Sequence, residues 1–214
     1  MRLLDLLLPP ACVGCGRSGS LLCDACRAQL RPPSNPGDSF VAPDAGVVVG
    51  DALVAALAAF RYQGPMRRAL AALKYTGASR LAPMLADLAL PALDRLLSLA
   101  GEAVLVPIPI HAERLAARGY NQAALLADQL GRRRRLRVNP ALARMRPTTK
   151  QHRLNRVARL QNLRGAFVAG GSPPATVILV DDIVTTTATL EACASALRLA
   201  GSDAVYGLAV AREV

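Results

Sequence analysis

Residues 175–197 read ATVILVDDIVTTTATLEACASAL, and this stretch decides the fold class. It opens with a continuous apolar and β-branched run, Thr176 to Val180, which predicts a strand buried on both faces. Two adjacent carboxylates, Asp181 and Asp182, come next, and a hydroxyl-rich turn follows them. Together with the strand-like run from Ala204 to Arg212, the stretch predicts an α/β fold with a parallel sheet flanked by helices. The apolar residues that predict its closing helix are Leu190, Cys193, Ala194 and Leu197.

The turn after the acidic pair has the chemistry of a sugar-phosphate site. A helix that begins after a strand presents unpaired N–H groups and the positive end of its dipole, and both attract anions. Threonine hydroxyls add donors, while Asp181 and Asp182 can accept hydrogen bonds from sugar hydroxyls. Either feature alone is more often a helix cap or an ordinary loop, but their order after a buried strand favours a ligand site. The turn consists of Thr185, Thr186, Thr187, Ala188 and Thr189.

The formal net charge of +11 comes from one part of the chain. Residues 131–164 contain eleven Arg, one Lys and no acidic residue, whereas the remaining 14 basic and 15 acidic residues nearly cancel. The segment predicts an anionic partner, which is a phosphorylated ligand or nucleic acid. A solvated basic face would give the same pattern, and Arg132 to Arg135 can be only a solvated helix end. Aromatic residues make up 3% of the chain, so stacking surfaces for single-stranded nucleic acid are scarce.

Four cysteines near the N-terminus have the spacing of a metal site. Cys12, Cys15, Cys23 and Cys26 form two C-x2-C pairs separated by seven residues. Two such knuckles complete a tetrahedral Zn²⁺ site, which would be structural because all four positions are filled by thiolates. Disulfides, an iron–sulfur cluster or a decayed site are the alternatives. The fifth cysteine, Cys193, lies on the core face of its predicted helix and is expected to be a small buried hydrophobe.

The remaining periodicities divide the chain. A Pro- and Gly-rich segment at residues 31–46 is expected to be a linker. It separates a zinc-binding module and linker at residues 1–38 from a domain at residues 39–214. Predicted elements of the domain are a strand at Val47–Val49, a segment of ambiguous type at Leu53–Phe60, a helix at Met66–Tyr75, a helix at Leu81–Leu99 broken near Pro91, a strand at Ala103–Ile108 and a helix at Asn121–Leu130.

The N-terminal segment does not fit an export signal. The apolar run Leu3 to Leu8 is interrupted by Asp5 and is followed at once by Pro9 and Pro10. No segment of the sequence is long and apolar enough to span a membrane. We therefore expect a cytoplasmic protein.

A second group of polar residues follows the predicted strand at Ala103–Ile108. In VPIPIHAERLAARGYNQ, residues 106–122, Arg118 and Asn121 can offer a guanidinium and an amide to diphosphate oxygens. Lys74 ends the preceding helix, where a cation is either a ligand contact or a complement to the helix dipole. His111 is a candidate base, although a lone histidine in a loop is more often structural.

Several of these motifs resemble known families. VILVDDIVTTTATL, residues 177–190, resembles the phosphoribosyl diphosphate (PRPP) motif of type I phosphoribosyltransferases. KYTG at residues 74–77 and the segment at 106–122 are similar to the ComF family, which includes ComF and GntX-like proteins. The order of motifs is similar as well: the four cysteines, the Tyr-x-Gly-Pro turn at residues 62–65, then the PRPP motif near the C-terminus. The downstream pattern of that family is matched at Thr148, Gln151, Leu154, Arg159, Asn162 and Phe167.

The resemblance implies a role for each motif. In the phosphoribosyltransferase family, the acidic pair contacts the ribose hydroxyls and the following loop wraps the 5′-phosphate, roles that fall here to Asp181 with Asp182 and to residues 185–189. Residues 131–167 correspond to a mobile loop that closes over diphosphate. Thr187 stands where the family usually has Gly. Because a β-branched residue with positive φ is an outlier, either the loop takes another path here or phosphate binding is weakened.

The resemblance also implies a function. The expected activity is binding of Mg–PRPP, with transfer of the phosphoribosyl group to a nitrogen acceptor, which is a pentosyl (glycosyl) transfer. Arg118, Asn121 and Lys74 would assist in holding the ligand. A link to competence and DNA uptake is implied by the family alone. The alternative is a non-catalytic adaptor that uses the fold and the basic segment to bind single-stranded DNA or a DNA-uptake partner protein. The acceptor base and the oligomeric state stay open, a homo-oligomer included.

Overall fold

The computed structural model describes residues 9–33, 52–75, 78–145, 165–185 and 187–213. The strand predicted at Val47–Val49 and residues 146–164 of the basic segment lie outside these residues, and so do the family-pattern positions Thr148, Gln151, Leu154, Arg159 and Asn162. No helix among the described residues combines the length and the apolar character needed to cross a membrane.

Four parallel strands form the central sheet. They are β1 (Ala55–Arg61), β2 (Val104–Pro107), β5 (Thr176–Val184) and β6 (Ala204–Arg212), arranged in the order β1-β6-β5-β2. Strand β5 is therefore internal, with β6 on one side and β2 on the other. Because both neighbours are parallel to it, its apolar run is buried on both faces, as the sequence indicated. The predicted α/β architecture is confirmed.

Helices and one hairpin surround this sheet. Strands β3 (Leu142–Arg144) and β4 (Phe167–Ala169) pair antiparallel as a separate two-stranded sheet. The helices are α1 (Asp24–Arg27), α2 (Gly64–Tyr75), α3 (Ala82–Ala100), α4 (Ala112–Arg118), α5 (Gln122–Arg134) and α6 (Ala188–Leu199), and a 3-10 turn at Ser79–Leu81 precedes α3.

The two faces of the sheet bury separate cores. On the three-helix face, α2, α3 and α5 pack against side chains that include Ile178 and Val180 of β5. On the hairpin face, α6 and the β3–β4 hairpin pack against side chains that include Val177 and Leu179. Successive side chains of a strand point to opposite faces, so Val177 and Leu179 lie in the hairpin layer while Ile178 and Val180 lie in the three-helix layer.

Three predictions of local structure were wrong or incomplete. Helix α3 runs unbroken through Pro91, because this residue is exposed and the carbonyl that loses its donor can be solvated instead. Helix α4 was missed because it buries none of its residues and therefore has no apolar period. The segment 131–167 is not a single loop, since its start belongs to α5 and its end forms β4. The ambiguous segment at Leu53–Phe60 contains β1.

The cysteine module packs onto the three-helix face. Leu22 and Leu30 lie in the same buried core as Met66 and Leu70 of α2. The backbone N–H of Arg61, at the end of β1, donates to the carbonyl of Arg31, which follows the cysteine module, with an N–O distance of 2.8 Å. The module is thus attached at the amino end of α2, and the carboxyl end of the same helix lies beside β5.

Candidate functional site

The acidic pair lies near the carboxyl end of β5, the edge at which open parallel sheets bind ligands. Strand β5 continues through both carboxylates to Val184, so Asp181 and Asp182 alternate in direction. By parity, Asp182 continues the row of Ile178 and Val180 on the three-helix face. Asp181 continues the row of the hairpin face. The two neighbouring acids are therefore placed in two different environments.

Asp182 has a cationic partner from the three-helix face. The Nζ atom of Lys74, in the last turn of α2, lies 2.7 Å from Oδ2 of Asp182. Both side chains are largely removed from solvent, with exposed fractions of 19% for Lys74 and 8% for Asp182. Two residues that were predicted separately from distant motifs are thus in direct contact. The pair gives the buried carboxyl group a partner, where a buried charge without one would be costly.

Among the described residues, no cationic side chain forms an ion pair with Asp181. Burial, and then the charge of Asp182, raises the pKa of Asp181 to about 8, although Lys74 and the backbone N–H of Asp182 act in the opposite direction. That N–H donates to Oδ1 of Asp181 over 2.8 Å. At neutral pH Asp181 therefore retains a proton in a large share of molecules and can donate a hydrogen bond as well as accept one.

Arg144 of β3 is the charged group that faces Asp181 from the hairpin layer. Its guanidinium carbon lies 5.3 Å from the centroid of the Phe167 ring. Burial, and then the charge of Arg114, lowers the pKa of Arg144, while the charges of Cys193 and Asp181 raise it. The hairpin thus brings a guanidinium from the basic segment toward the acidic pair. Cys193 itself is fully buried, as predicted.

The hydroxyl turn leads directly into α6. Thr187 precedes the helix with φ of −67° and ψ of −1°, so this position needs no positive φ and the β-branched residue is accommodated without backbone strain. Its side chain is buried, and its carbonyl accepts from the N–H of Glu191 over 2.8 Å. The positive φ that would make a β-branched residue an outlier is therefore not adopted at Thr187. Thr185 is exposed, Thr189 is half-buried, and Thr186 lies outside the described residues.

The junction between α4 and α5 is fixed to its surroundings by its own polar groups. Asn121 caps α5 by accepting from the N–H of Ala123, and its Nδ2 donates to the carbonyl of Ile108 over 2.9 Å. Both the oxygen and the nitrogen of the Asn121 amide form hydrogen bonds with the backbone, so this side chain positions the junction between α4 and α5. His111 likewise caps α4, with Nδ1 accepting from the N–H of Glu113.

Arg118, at the end of α4, lies beside the carboxyl end of α2. Its Nη1 donates to Oε1 of Gln122 over 3.0 Å, and its guanidinium carbon lies 5.3 Å from the centroid of the Tyr75 ring. The hydroxyl of Tyr120 donates to the carbonyl of Leu73 over 2.5 Å. Sequence reasoning placed Arg118 near diphosphate but did not single out Tyr75 or Arg144. The position of Tyr75 next to Lys74 in the KYTG motif was the available signal.

Two arginines of the basic segment have acidic partners on α3. Arg133 forms a bidentate pair with Asp87, and Arg134 forms another with Asp94 at 2.6 and 2.7 Å. The hydrogen bond from Arg133 lowers the pKa of Asp87, and burial opposes it. The run Arg132 to Arg135 therefore offers less unpaired positive charge than its sequence indicates.

The four cysteines of the N-terminal module converge. Their Sγ atoms all lie within 4.8 Å of one another, and those of Cys15 and Cys23 are 3.6 Å apart. A tetrahedral Zn²⁺ site with Zn–S bonds of about 2.3 Å has sulfur atoms about 3.8 Å apart, so the arrangement fits the metal. Gly14 is required for space, since an added Cβ would lie 2.5 Å from Sγ of Cys26. Gly16 supplies a φ of +78° at the first knuckle.

The electrostatics of the cysteines also fit a cation. The N–H groups of Gly14 and Cys23 each lie 3.4 Å from Sγ of Cys12. Burial raises the pKa of Cys12, but these and other backbone donors outweigh it and lower the pKa to about 6. Burial, followed by the neighbouring thiols, raises the pKa of Cys26 to about 12. Four thiols in this space resist full ionisation together, and a bound Zn²⁺ would remove that resistance.

Comparison with known proteins agrees with both parts of the molecule. The family model of the double zinc ribbon domain matches residues 3–37. Competence protein F of Haemophilus influenzae (strain ATCC 51907 / DSM 11121 / KW20 / Rd) is 38% identical to this chain over 112 residues. The chain is therefore similar to a double zinc ribbon domain at its N-terminus and to Competence protein F over part of its length. This confirms the resemblance seen in the sequence, and the cysteine geometry together with the zinc ribbon match supports structural zinc in this chain.

The extent of the match limits what is transferred. The similarity covers 49% of this chain and 49% of the relative, so the match spans about half the length of that protein. The zinc ribbon match covers the cysteine module, and the match to Competence protein F indicates similarity over half of the chain.

Proposed function

We propose that this chain is a ComF-type, competence-associated protein of the phosphoribosyltransferase type that binds Mg–PRPP at the carboxyl end of β5. The competence association rests on the name of the Haemophilus relative. The ligand rests on the motif at residues 177–190. The proposal divides the chain into a zinc module and linker, residues 1–38, and a ligand-binding domain, residues 39–214.

The ion pair between Lys74 and Asp182 is the observation that carries the proposal. The pair places a buried cation beside the two neighbouring acids, Asp181 and Asp182, at the carboxyl end of β5. Helix α6 begins at the same edge of the sheet, and the first N–H groups of a helix have no partner within it. A 5′-phosphate would lie at this helix start and at residues 185–189, where N–H groups and hydroxyls are donors. The ribose hydroxyls would reach Asp181 and Asp182, which offer acceptors in two states of charge and protonation.

The chain's own residues would act mainly by positioning and by charge. Arg118 would neutralise developing charge on the leaving diphosphate, with cations of the basic segment as further contributors. Asn121 would hold the junction through its two backbone hydrogen bonds, so its role is to position Arg118. Mg²⁺ would be held largely through ligand oxygens and water, because this ion retains much of its hydration. No general base is assigned, since His111 serves as a helix cap.

The adaptor reading remains a second candidate. In it, the fold is retained while the zinc module and basic segment bind single-stranded DNA or an uptake partner. The ion pairs of Arg133 and Arg134 with α3 weaken the form of this reading that depends on Arg132 to Arg135. The remaining support is the charge of residues 146–164, which lie outside the described residues.

Calorimetric titration with PRPP and Mg²⁺ tests the proposal. We expect saturable binding by the zinc-loaded wild-type protein and its loss in Asp181→Asn/Asp182→Asn. Asp203→Asn is the matched control, because Asp203 is exposed and lies at the amino end of β6, the opposite edge of the sheet. If the wild type binds no PRPP, or if the double variant binds as tightly as the control, the PRPP assignment is wrong.

A further inference from the structure

Tyr75 is an exposed aromatic ring beside the acidic site. It ends α2, directly after Lys74, and has an exposed fraction of 69%. The other aromatic residues that the structure describes are buried or half-buried. An aromatic ring gains from burial in proportion to its apolar area, so a ring left open at the lip of a site is a candidate ligand contact.

One face of this ring is already covered. The guanidinium carbon of Arg118 lies 5.3 Å from the ring centroid, a distance at which the cation is attracted to the π face. The guanidinium is held in turn by Gln122, and the hydroxyl of Tyr120 ties the same junction to α2 through the carbonyl of Leu73. The ring is thus backed by a fixed planar group and keeps its other surface open to solvent.

We infer that Tyr75, backed by Arg118, is the stacking surface on which this site holds a planar heteroaromatic ring of the nucleobase class. Stacking on an aromatic side chain suits such rings because each has a π face, whichever polar groups it carries. The inference rests on the proposed function for its claim that the ring belongs to the acceptor of the phosphoribosyl group. The stacking contact itself requires only the described geometry. Tyr75 is therefore a specificity residue for the acceptor, separate from the groups that hold PRPP.

A single-tryptophan variant reports on this surface. The chain contains no Trp, so Tyr75→Trp places one emitter at the proposed contact. Leu199→Trp is the matched control, since Leu199 is 90% exposed at the far end of α6. We expect saturable quenching of Tyr75→Trp by adenine, guanine, cytosine or uracil, measured with and without PRPP and Mg²⁺, and only linear collisional quenching of Leu199→Trp. Saturation of neither variant with any base overturns the inference.

Equilibrium dialysis of the same bases separates stacking from folding and from PRPP binding. We expect Tyr75→Phe to retain affinity for the base. Tyr75→Ala should lose about 5- to 150-fold in that affinity, the range for one base stacked on an aromatic residue, with a smaller effect on PRPP binding. Equal base affinity in Tyr75→Ala and wild type overturns the inference even if PRPP binds. If base binding depends on Tyr75 but the protein binds no PRPP, the stacking surface is supported and the phosphoribosyltransferase proposal is wrong. Binding of single-stranded DNA but of no free base overturns the inference as well.

Discussion

Two adjacent carboxylates, one on each face of the sheet, are treated in opposite ways. On the three-helix face, Asp182 is paired at 2.7 Å with Lys74, and the helix that carries this lysine is packed at its other end against the cysteine module. On the hairpin face, Asp181 is raised in pKa by burial and by its neighbour. Arg144, which interacts electrostatically with Asp181, belongs to strand β3 of the hairpin, within the basic segment.

The difference separates a prebuilt half of the site from an adaptable half. Helix α2 links the cysteines to Asp182 through rigid packing, so its lysine is held before any ligand arrives. Asp181 has unused hydrogen-bonding capacity and a charge that depends on pH. It lies on the face of the β3–β4 hairpin, and the basic segment to which β3 belongs is expected to meet an anionic ligand. Preorganised charge on one side and a titratable group on the other is a recurrent arrangement of binding sites. The following predictions test this contrast.

Removal of zinc should have the largest effect. The metal contributes on the order of 10 kcal/mol to the folding of small zinc modules, and this module shares its core with α2. We expect chelation or Cys26→Ser to lower Tm by at least ~10 °C, since 1 kcal/mol corresponds to about 2–4 °C at this chain length. Calorimetry with metal analysis measures it, and one zinc per chain is expected before chelation.

The control for this experiment is Cys193→Ser, which alters a buried cysteine of α6 far from the module and should retain the zinc. An unchanged Tm after complete removal of the metal would contradict the view that the module supports α2. If only the module unfolds, PRPP affinity should fall with it, because Lys74 loses the support of the helix that carries it.

Lys74→Met should have the next largest effect. It leaves the carboxylate of Asp182 mostly buried without its cation, and loss of one partner from a fully buried pair costs about 3–5 kcal/mol. We expect a smaller loss here because Lys74 keeps 19% of its side chain exposed. Denaturant unfolding of Lys74→Met, Asp182→Asn and the double variant measures the coupling. The double variant should be more stable than Lys74→Met, and strictly additive changes would show that the pair contributes nothing.

Asp181→Asn should act in the opposite direction and should depend on pH. The folded pKa of about 8 is higher than the ordinary value of 3.8. Between these values the folded chain holds more protons than the unfolded chain, so the free energy of unfolding falls as pH rises, by at most about 1.4 kcal/mol per pH unit. Asparagine mimics the protonated acid and removes this fall. Urea unfolding should show that Asp181→Asn is more stable than the wild type, by a larger margin at pH 8 than at pH 5. Free energies of unfolding that change with pH in parallel for the variant and the wild type would refute this.

The contrast between the two acids shows where sequence reasoning succeeds and where it stops. The strand, the acidic pair and the start of α6 are consecutive in the chain, so period and residue type were enough to predict them. The four cysteines are local in the same sense. The contact between Lys74 and Asp182 joins residues 108 positions apart and depends on how α2 packs on β5, which no local pattern encodes. The pairing of Arg133 with Asp87 depends in the same way on the packing of α5 against α3.

The paired arginines should give the smallest effect. Each cation that neutralises a phosphate of single-stranded nucleic acid adds about 0.7 to the slope of log affinity against log salt concentration. Arg133→Gln/Arg134→Gln should leave this slope nearly unchanged for any oligonucleotide that binds, because both guanidiniums are occupied by α3. Asp87→Asn/Asp94→Asn is the matched control, since it releases the same guanidiniums and should steepen the slope by up to about 1.4. If the salt slope of Arg133→Gln/Arg134→Gln is instead flatter than that of the wild type by about 1.4, DNA displaces Asp87 and Asp94 from the two arginines. The nucleic-acid-binding surface would then include the end of α5, where the basic segment begins.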